Sequence, residues 1–303
     1  MKNCVKILAL VMCMVLLAGV VTGCGGGKKA ASDSDVAADS APSTAAATND
    51  PSTDTDVPEE EADTEDTADA DRIFVMGFDA EFPPYGYKDE SGEYKGFDIE
   101  LATELCARRG WELQLQPIDW SAKDAQLQSG AIDCVWNGFT MNGREDQYTW
   151  TDAYLDNYQV FVVAEDAGIA ETQDLAGKIV AVQADSSAEK ALDEPEQAEL
   201  KDSFAELRPI ADYTSAMMEL EAGSVEAVAM DSGVAEYLIK QRGGGFVILE
   251  EQLAKEEYGI GFRRGNDELR DEVQLTLLEM VEDGKFEEIA DGWGLAQYVV
   301  LGK

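Results

Sequence analysis

Histidine does not occur in this 303-residue chain, and cationic residues are scarce, with 23 Lys and Arg against 62 Asp and Glu. The missing imidazole removes His-based triads, His acid–base chemistry and His-ligated metal sites. A formal charge of −39 argues against nucleic acid, whose phosphates need clustered Lys and Arg. It also argues against an anionic lipid surface as the direct partner. Cysteine is sparse as well, with five in all: Cys4 and Cys13 in an N-terminal apolar segment, Cys24 at its end, and Cys106 and Cys134 further on. The last two fall inside a predicted helix and a predicted strand. They read as small buried hydrophobes, with a disulfide as the alternative in an exported setting. No cysteine pair has metal-ligand spacing, and neither metal nor cofactor is expected.

What is present begins with a targeting segment. "MKNCVK" is a short basic start, "ILALVMCMVLLAGVV" an apolar run and "TGC" a small-residue end. About 15 apolar residues is short for a ~30 Å hydrocarbon core. "VVTGC" resembles the lipobox of bacterial lipoprotein signals, which implies removal of residues 1–23 and lipidation of Cys24. From Asp33 to Asp71 there are 14 acidic residues and no basic ones, amid Ala, Ser and Thr. Such a stretch cannot bury enough apolar surface to offset its ordering entropy, so residues 24–71 are expected to form an extended, self-repelling, lipid-anchored tether.

From Ile73 onward strands and helices alternate. "RIFVMGF", "WELQLQPI" and "AIDCVW" read as strands, separated by the helices "DIELATELCARRG" and "SAKDAQLQSG". Asp98 and Ser121 are the expected N-caps, Gly110 and Gly130 the stops. The rhythm restarts after "TDAYLDNYQVFVVAED". "LQSGAIDCV" and "LEAGSVEAV" share a Leu-x-x-Gly-x-Ile/Val-Asp/Glu-x-Val pattern. That echo suggests two similar α/β lobes, each a mainly parallel sheet flanked by helices.

In open α/β sheets, ligands sit beyond the carboxyl ends of the strands. Those ends carry Asp79, then Trp120, then Asn137, Gly138 and Thr140 with Arg144 just past them, then Asp185, Ser186 and Ser187, and finally Asp231. This is an inventory for a small polar ligand rather than a catalytic constellation. Arg144, followed by Glu145 and Asp146, could form a surface ion pair or grip a carboxylate bidentately. Ser186 and Ser187 could cap a helix or help hold an anion, and Asp231 could cap a helix or receive an ammonium group. Phe82, Tyr85 and Trp120 could be core residues or could flank a cleft. The two prolines of "EFPPYGY" fix an extended loop whose rings are not all expected to turn inward. "DESGEYKGFDIE" has the length of a calcium loop, but Tyr94 stands where that loop needs Gly, so a hairpin turn at Ser91–Gly92 is expected instead.

Residues 72–303 resemble the family 3 solute-binding proteins of bacterial ABC amino-acid importers. The landmarks are "GFDAEFPPYGYKDESGEYKGFDIELATEL", "GAIDCVWNGFTMNGRED", "YTWTDAYLDNYQVFVV", "LAGKIVAVQADSSAEKAL", "EAVAMDSGVAEYLI" and "YGIGFRRGNDELRDEVQLTLLEMVEDGKFEEIADGWG". The resemblance implies a type II periplasmic-binding fold: lobe 1 at 72–155 and 258–303, lobe 2 at 156–257, joined by two crossing strands. It makes Arg144 the carboxylate ligand, supported by Thr140, Ser186, Ser187 and the Gly138 backbone. Asp231 would hold the ammonium, Phe82, Trp120 and Tyr85 the stem, and Asp79, Asn137 and Gln183 the remaining polar contacts. Two departures stand out. Thr140 and Arg144 are four residues apart where the family has five, and "ADSS" adds the charge of Asp185 where a Gly-Thr or Gly-Ser turn is usual.

The implied activity is capture of a free polar or cationic amino acid (glutamine, arginine, lysine or cystine) and its delivery to a membrane permease with a partner ATPase. The protein would be a non-enzymatic, monomeric lipoprotein on the outer face of the cytoplasmic membrane. The alternatives are a ligand-sensing domain for a separate receptor and a prephenate-type dehydratase on the same fold.

Overall fold

A computed structural model describes residues 72–303. The expected signal segment, the lipidation site at Cys24 and the acidic tether lie outside the described residues.

The chain opens with strand β1 (Ile73–Phe78) and a small ribbon of β2 (Glu81–Phe82), β3 (Gly86–Lys88) and β4 (Tyr94–Lys95). Helix α1 (Phe97–Arg109), β5 (Glu112–Pro117), α2 (Lys123–Ser129), β6 (Cys134–Thr140) and β7 (Tyr148–Trp150) follow. Strand β8 (Leu155–Ala164) leads to β9 (Ile179–Gln183), α3 (Ser187–Asp193), α4 (Ala198–Ser203) and β10 (Glu206–Ile210). Next come α5 (Tyr213–Glu221), β11 (Ala227–Asp231), α6 (Ser232–Arg242) and β12 (Phe246–Ile248). Strand β13 (Ala254–Arg263) returns the chain to α7 (Asp267–Glu282) and α8 (Lys285–Trp293).

The main sheet runs β10-β9-β11-β8-β13-β6-β1-β5. Its two flanks are parallel trios, β1 with β5 and β6, and β9 with β10 and β11. The long strands β8 and β13 lie between them, antiparallel to each other and to the strand on either side. The sheet is therefore mixed, and the fold is α/β of the type II periplasmic-binding kind. β6 and β11 are buried at every residue, as expected of parallel strands covered on both faces.

The sequence echo has a physical basis. At the start of β6, Asp133 accepts a bond from Val75 N at 2.7 Å and returns one to Val75 O at 2.8 Å. At the start of β11, Glu226 repeats this with Ile179, at 2.8 and 2.9 Å. In each half, an acidic side chain ties a short buried strand to its parallel neighbour, after a helix whose Leu (Leu127 or Leu220) is buried.

Two local expectations need correction. Gly96, not Asp98, stands at the N-cap of α1. Asp98 lies in the first helical turn, buried, where its carboxylate accepts from Gly138 N at 2.7 Å and from the Tyr154 hydroxyl at 3.0 Å. Ser121 is not a cap either: it sits in a single 3-10 turn, Trp120–Ala122, and α2 begins after it. As expected, the rings of "EFPPYGY" do not all turn inward, since Tyr87 is only half-buried. Phe82 and Tyr85 are both buried, with Phe82 against Tyr85 and Tyr213, and Tyr85 edge-on to Tyr258 at 5.4 Å. Gly110 and Gly130 do stop their helices in the left-handed conformation, and the Ser91–Gly92 turn does join β3 to β4. Cys106 and Cys134 are buried free thiols.

Candidate functional site

Past β6 the chain makes two tight turns, closed by Arg144 N to Met141 O and Gln147 N to Arg144 O, both at 2.9 Å. The indole N–H of Trp150 donates to Arg144 O at 3.1 Å and fixes the backbone there. The side chain folds back over the strand it has just left. Its Nη1 donates to Thr140 O at 3.0 Å, and the guanidinium lies 5.2 Å from the Phe139 ring centre. The four-residue spacing is thus the span that lets Arg144 reach Thr140's own carbonyl. Arg144 is 1% exposed and forms no ion pair among the described residues, so the surface pair with Glu145 or Asp146 is not formed. Its Nε and Nη2 are buried without a hydrogen-bond partner. Burial destabilises its charged form, only partly offset by the negative groups around it.

Asp231 ends β11, and its carboxylate does not cap α6. It accepts instead from the Tyr258 hydroxyl at 2.5 Å, Gln159 Nε2 at 2.7 Å and Asn157 Nδ2 at 2.8 Å. Burial, with the nearby charge of Glu256, raises its pKa to about 7.

Glu256 on β13 was not singled out from the sequence. It is 4% exposed, and its Oε2 accepts from Thr140 Oγ1 at 2.9 Å, Gln159 Nε2 at 2.9 Å, Asn157 Nδ2 at 3.1 Å and Ser187 Oγ at 3.3 Å. Strand parity could have found it, because Glu256, Tyr258 and Ile260 alternate on one buried face of "AKEEYGIGF". Asn157 and Gln159 share a buried face of β8 by the same rule.

A tight hollow of about 10 Å³, room for about one water molecule, lies between these groups. Phe82, Trp120, Gly138, Thr140, Arg144, Gln183, Ser186, Ser187 and Asp231 form its wall, every one of them expected from the sequence. Gly138 has φ +54°, and a Cβ there would come within 3.0 Å of Tyr258 and Phe82, so no larger residue leaves the hollow open. Ser186 caps α3, its hydroxyl accepting from Glu189 N at 3.1 Å, whereas Ser187 Oγ accepts from Gln159 at 3.0 Å.

Three expected residues stand outside that wall. Asp79 lines a wider adjoining hollow with Glu81, Asp119 and Asp212, and Trp120 forms part of both. Its Oδ2 accepts from Gln183 Nε2 at 2.6 Å, and burial raises its pKa to about 6. Asn137 lies behind it and accepts from Asp79 N at 3.0 Å, holding the loop rather than facing the hollow. Tyr85 packs behind Phe82, its hydroxyl so close to Gly233 that a Cβ there would lie 2.3 Å away.

The charge of Asp185 has a partner the sequence did not reveal. Lys123 of α2, 2% exposed, places Nζ 2.8 Å from Asp185 Oδ2 and 5.0 Å from the Trp120 ring centre. Asp185 has φ +62°, a left-handed conformation that Asp tolerates better than most residues. The pair links the end of β9 to α2 across the rim of the hollow.

Chemically, the site offers a buried guanidinium with two unbonded donor nitrogens, buried carboxylates and stacking rings. It suits a small zwitterion.

Comparison with known proteins agrees with this chemistry. The family model for bacterial extracellular solute-binding proteins, family 3, matches residues 74–296. The arginine-binding extracellular protein ArtP of Bacillus subtilis is 30% identical over 226 residues, 72% of this chain and 85% of that protein. The L-cystine-binding protein TcyJ of Escherichia coli is 27% identical over 222 residues, 72% of this chain and 81% of that protein. Among solved structures, a substrate-binding protein of an ABC uptake transporter from Streptococcus pneumoniae, with bound histidine, superposes with a TM-score of 0.70 at 30% identity. It covers 73% of this chain and 92% of its own.

Proposed function

The chain belongs to the bacterial extracellular solute-binding proteins, family 3, and from that premise we propose that it captures a free amino acid for an ABC importer. The observation that carries this reading is the pair of unbonded donor nitrogens, Nε and Nη2, on buried Arg144, in one hollow with Asp231. A bidentate carboxylate completes the guanidinium, and the adjacent ammonium meets Asp231. Thr140, Ser187 and Gln183 lie within reach of the same ligand, with Phe82 and Trp120 against its stem. Side chains that are polar or cationic suit the mouth, where Asp79, Glu81, Asp119 and Asp212 gather negative charge. Glutamine, arginine, lysine and cystine fit this description, and an anionic side chain does not.

Residues 72–155 and 258–303 would act as one lobe and 156–257 as the other, rotating about β8 and β13. Closure removes water, so each polar pairing strengthens as the local dielectric falls. The Lys123–Asp185 pair acts as a clasp in the closed form. A lipid on Cys24 would hold the protein at the outer face of the cytoplasmic membrane beside its permease, as a monomer with no enzymatic step. A thermal-shift screen of the purified protein against the twenty amino acids and cystine tests the core of this reading. Ligand at a hundred times its dissociation constant adds about 2.7 kcal/mol, several degrees for a domain of this size. No shift with any of them would remove the amino-acid assignment.

A further inference from the structure

Glu256 does not line the hollow, yet its carboxylate meets the groups that do. Gln159 Nε2 lies 2.7 Å from Asp231 Oδ1 and 2.9 Å from Glu256 Oε2, and Asn157 Nδ2 lies 2.8 and 3.1 Å from the same two oxygens. The two oxygens are therefore less than about 6 Å apart, bridged by the same pair of amide groups. Both residues are more than nine-tenths buried, and neither forms an ion pair among the described residues. Like charges this close, out of water, resist simultaneous ionisation.

We propose that Glu256 is a positioning residue for the ammonium-binding half of the site. Its carboxylate, bridged to Asp231 by Asn157 and Gln159, keeps a proton on Asp231 before ligand arrives, and the arriving α-ammonium displaces that proton to solvent. The inference rests on the amino-acid reading above and adds to it a proton exchange. Charge is conserved in the exchange: the pair gives up one proton and gains one ammonium, so the local charge stays at minus one. The carboxyl O–H bond breaks heterolytically, its electron pair stays on the carboxylate oxygen and the proton passes to buffer base; no bond between heavy atoms is made or broken.

The surroundings are consistent with this. From β13 the Tyr258 hydroxyl donates to Asp231, and from β8 Asn157 and Gln159 donate to both carboxylates. Tyr213 of α5 and Tyr85 also face the pair, and burial pushes all three tyrosines far above neutrality, so they stay protonated. Thr140 and Ser187 are neutral donors to Glu256. Arg144, the cation in the same wall, feels Glu256 but does not pair with it. The raised pKa of Asp231 agrees with a proton residing on the pair.

The test is calorimetric titration of the full chain with L-arginine and with L-cystine across pH 5.5–8. Each pH is run in two buffers of different ionisation heat. Both probes keep their α-ammonium charged near neutrality. The wild type is expected to release a substantial fraction of a proton on binding near pH 6.5 and to lose affinity as the pair protonates. Glu256→Gln keeps an acceptor oxygen at the same place but removes the second charge. Its acid limb is expected to move down by about one pH unit or more, and its proton release near neutrality to shrink. A limb that stays put in the variant, whatever its affinity, overturns the proposal, because that is what a purely structural role gives. The same comparison separates Asp79, whose titration Glu256→Gln leaves in place. If the variant does not fold, infrared difference spectra of the wild type decide. A protonated-carboxyl band lost on adding ligand supports the bound proton, and an unchanged spectrum overturns it. Should neither probe nor any other amino acid bind, the functional reading falls and this inference with it. Binding without proton release removes this inference alone.

Discussion

Arg144 should affect stability and affinity with opposite signs. In this closed arrangement its Nε and Nη2 are buried with no partner in the protein, while Nη1 holds Thr140 O and the plane stacks on Phe139. Each unmet buried donor costs about 1–3 kcal/mol, more when it carries charge, and the one bond made returns about 1–1.5 kcal/mol. Arg144→Met keeps most of the stem against Phe139 and removes the unmet donors. The ligand-free variant is expected to be more stable by about 1–3 kcal/mol, or some 2–8 °C for a domain of this size. The same variant loses the bidentate carboxylate contact, about 2–5 kcal/mol of binding, or roughly 30- to 5,000-fold in Kd. Arg144→Lys should fall between, retaining charge but not the fork. Differential scanning fluorimetry of the empty protein, paired with calorimetric titration of whichever amino acid gives the largest shift, reads both numbers. A melting point lowered by several degrees together with an affinity changed less than twofold would refute the reasoning, because Arg144 would then be a structural group.

Three further outcomes follow from the same geometry. Asp231→Asn removes the ammonium's counter-charge and is expected to weaken amino-acid binding by about 2–5 kcal/mol; a Kd within threefold of wild type would place the ammonium elsewhere. Lys123→Met opens the clasp with Asp185 and is expected to speed ligand release about 3- to 10-fold while leaving association nearly unchanged, in line with ~1 kcal/mol for a half-exposed ion pair. Stopped-flow dissociation at low and high salt checks this, since the wild type should respond to salt more strongly than the variant. Finally, burial raises the pKa of Asp79 to about 6 and of Asp98 and Asp231 to about 7, from 3.8. The folded form then holds protons that the unfolded chain releases. That stabilisation is fully present below about pH 4 and lost as pH rises through 6–7. Urea midpoints of the ligand-free protein should therefore fall between pH 4.5 and 7.5, and a rising midpoint would contradict the assigned burial.

The strand ends gave the site away. Because each parallel strand delivers its next few residues to the same edge of the sheet, Thr140, Ser187 and Asp231 can be collected from three separated segments of the sequence alone. Apart from Phe82 and Gln183, the wall of the hollow contains only residues collected in that way. The echo between "LQSGAIDCV" and "LEAGSVEAV" was legible because the constraint is local: an acid one turn past a helix bonds the neighbouring strand's backbone. What escaped was non-local. Lys123 and Asp185 are 62 positions apart, and no pattern in either segment names the other. Glu256 was overlooked because an acid beside a second acid in "KEEYGI" resembles a solvated edge until the parity of β13 is followed inward. Asp98 deceived for another reason. Its place before an apolar run suits an N-cap, but the cap and the helix start stand two residues earlier, at Gly96 and Phe97, which turns the carboxylate toward Gly138.

The four polar residues that steady Asp231 and one another, Asn157, Gln159, Glu256 and Tyr258, all stand on β8 and β13. If the halves swing about those strands, the axle and the recognition chemistry are one piece of backbone. Retuning which amino acid is preferred by editing these positions would also change how freely the jaws open. The acidic mouth around Asp119 and Asp212 carries no such double duty, which makes it the safer place for evolution or design to alter selectivity.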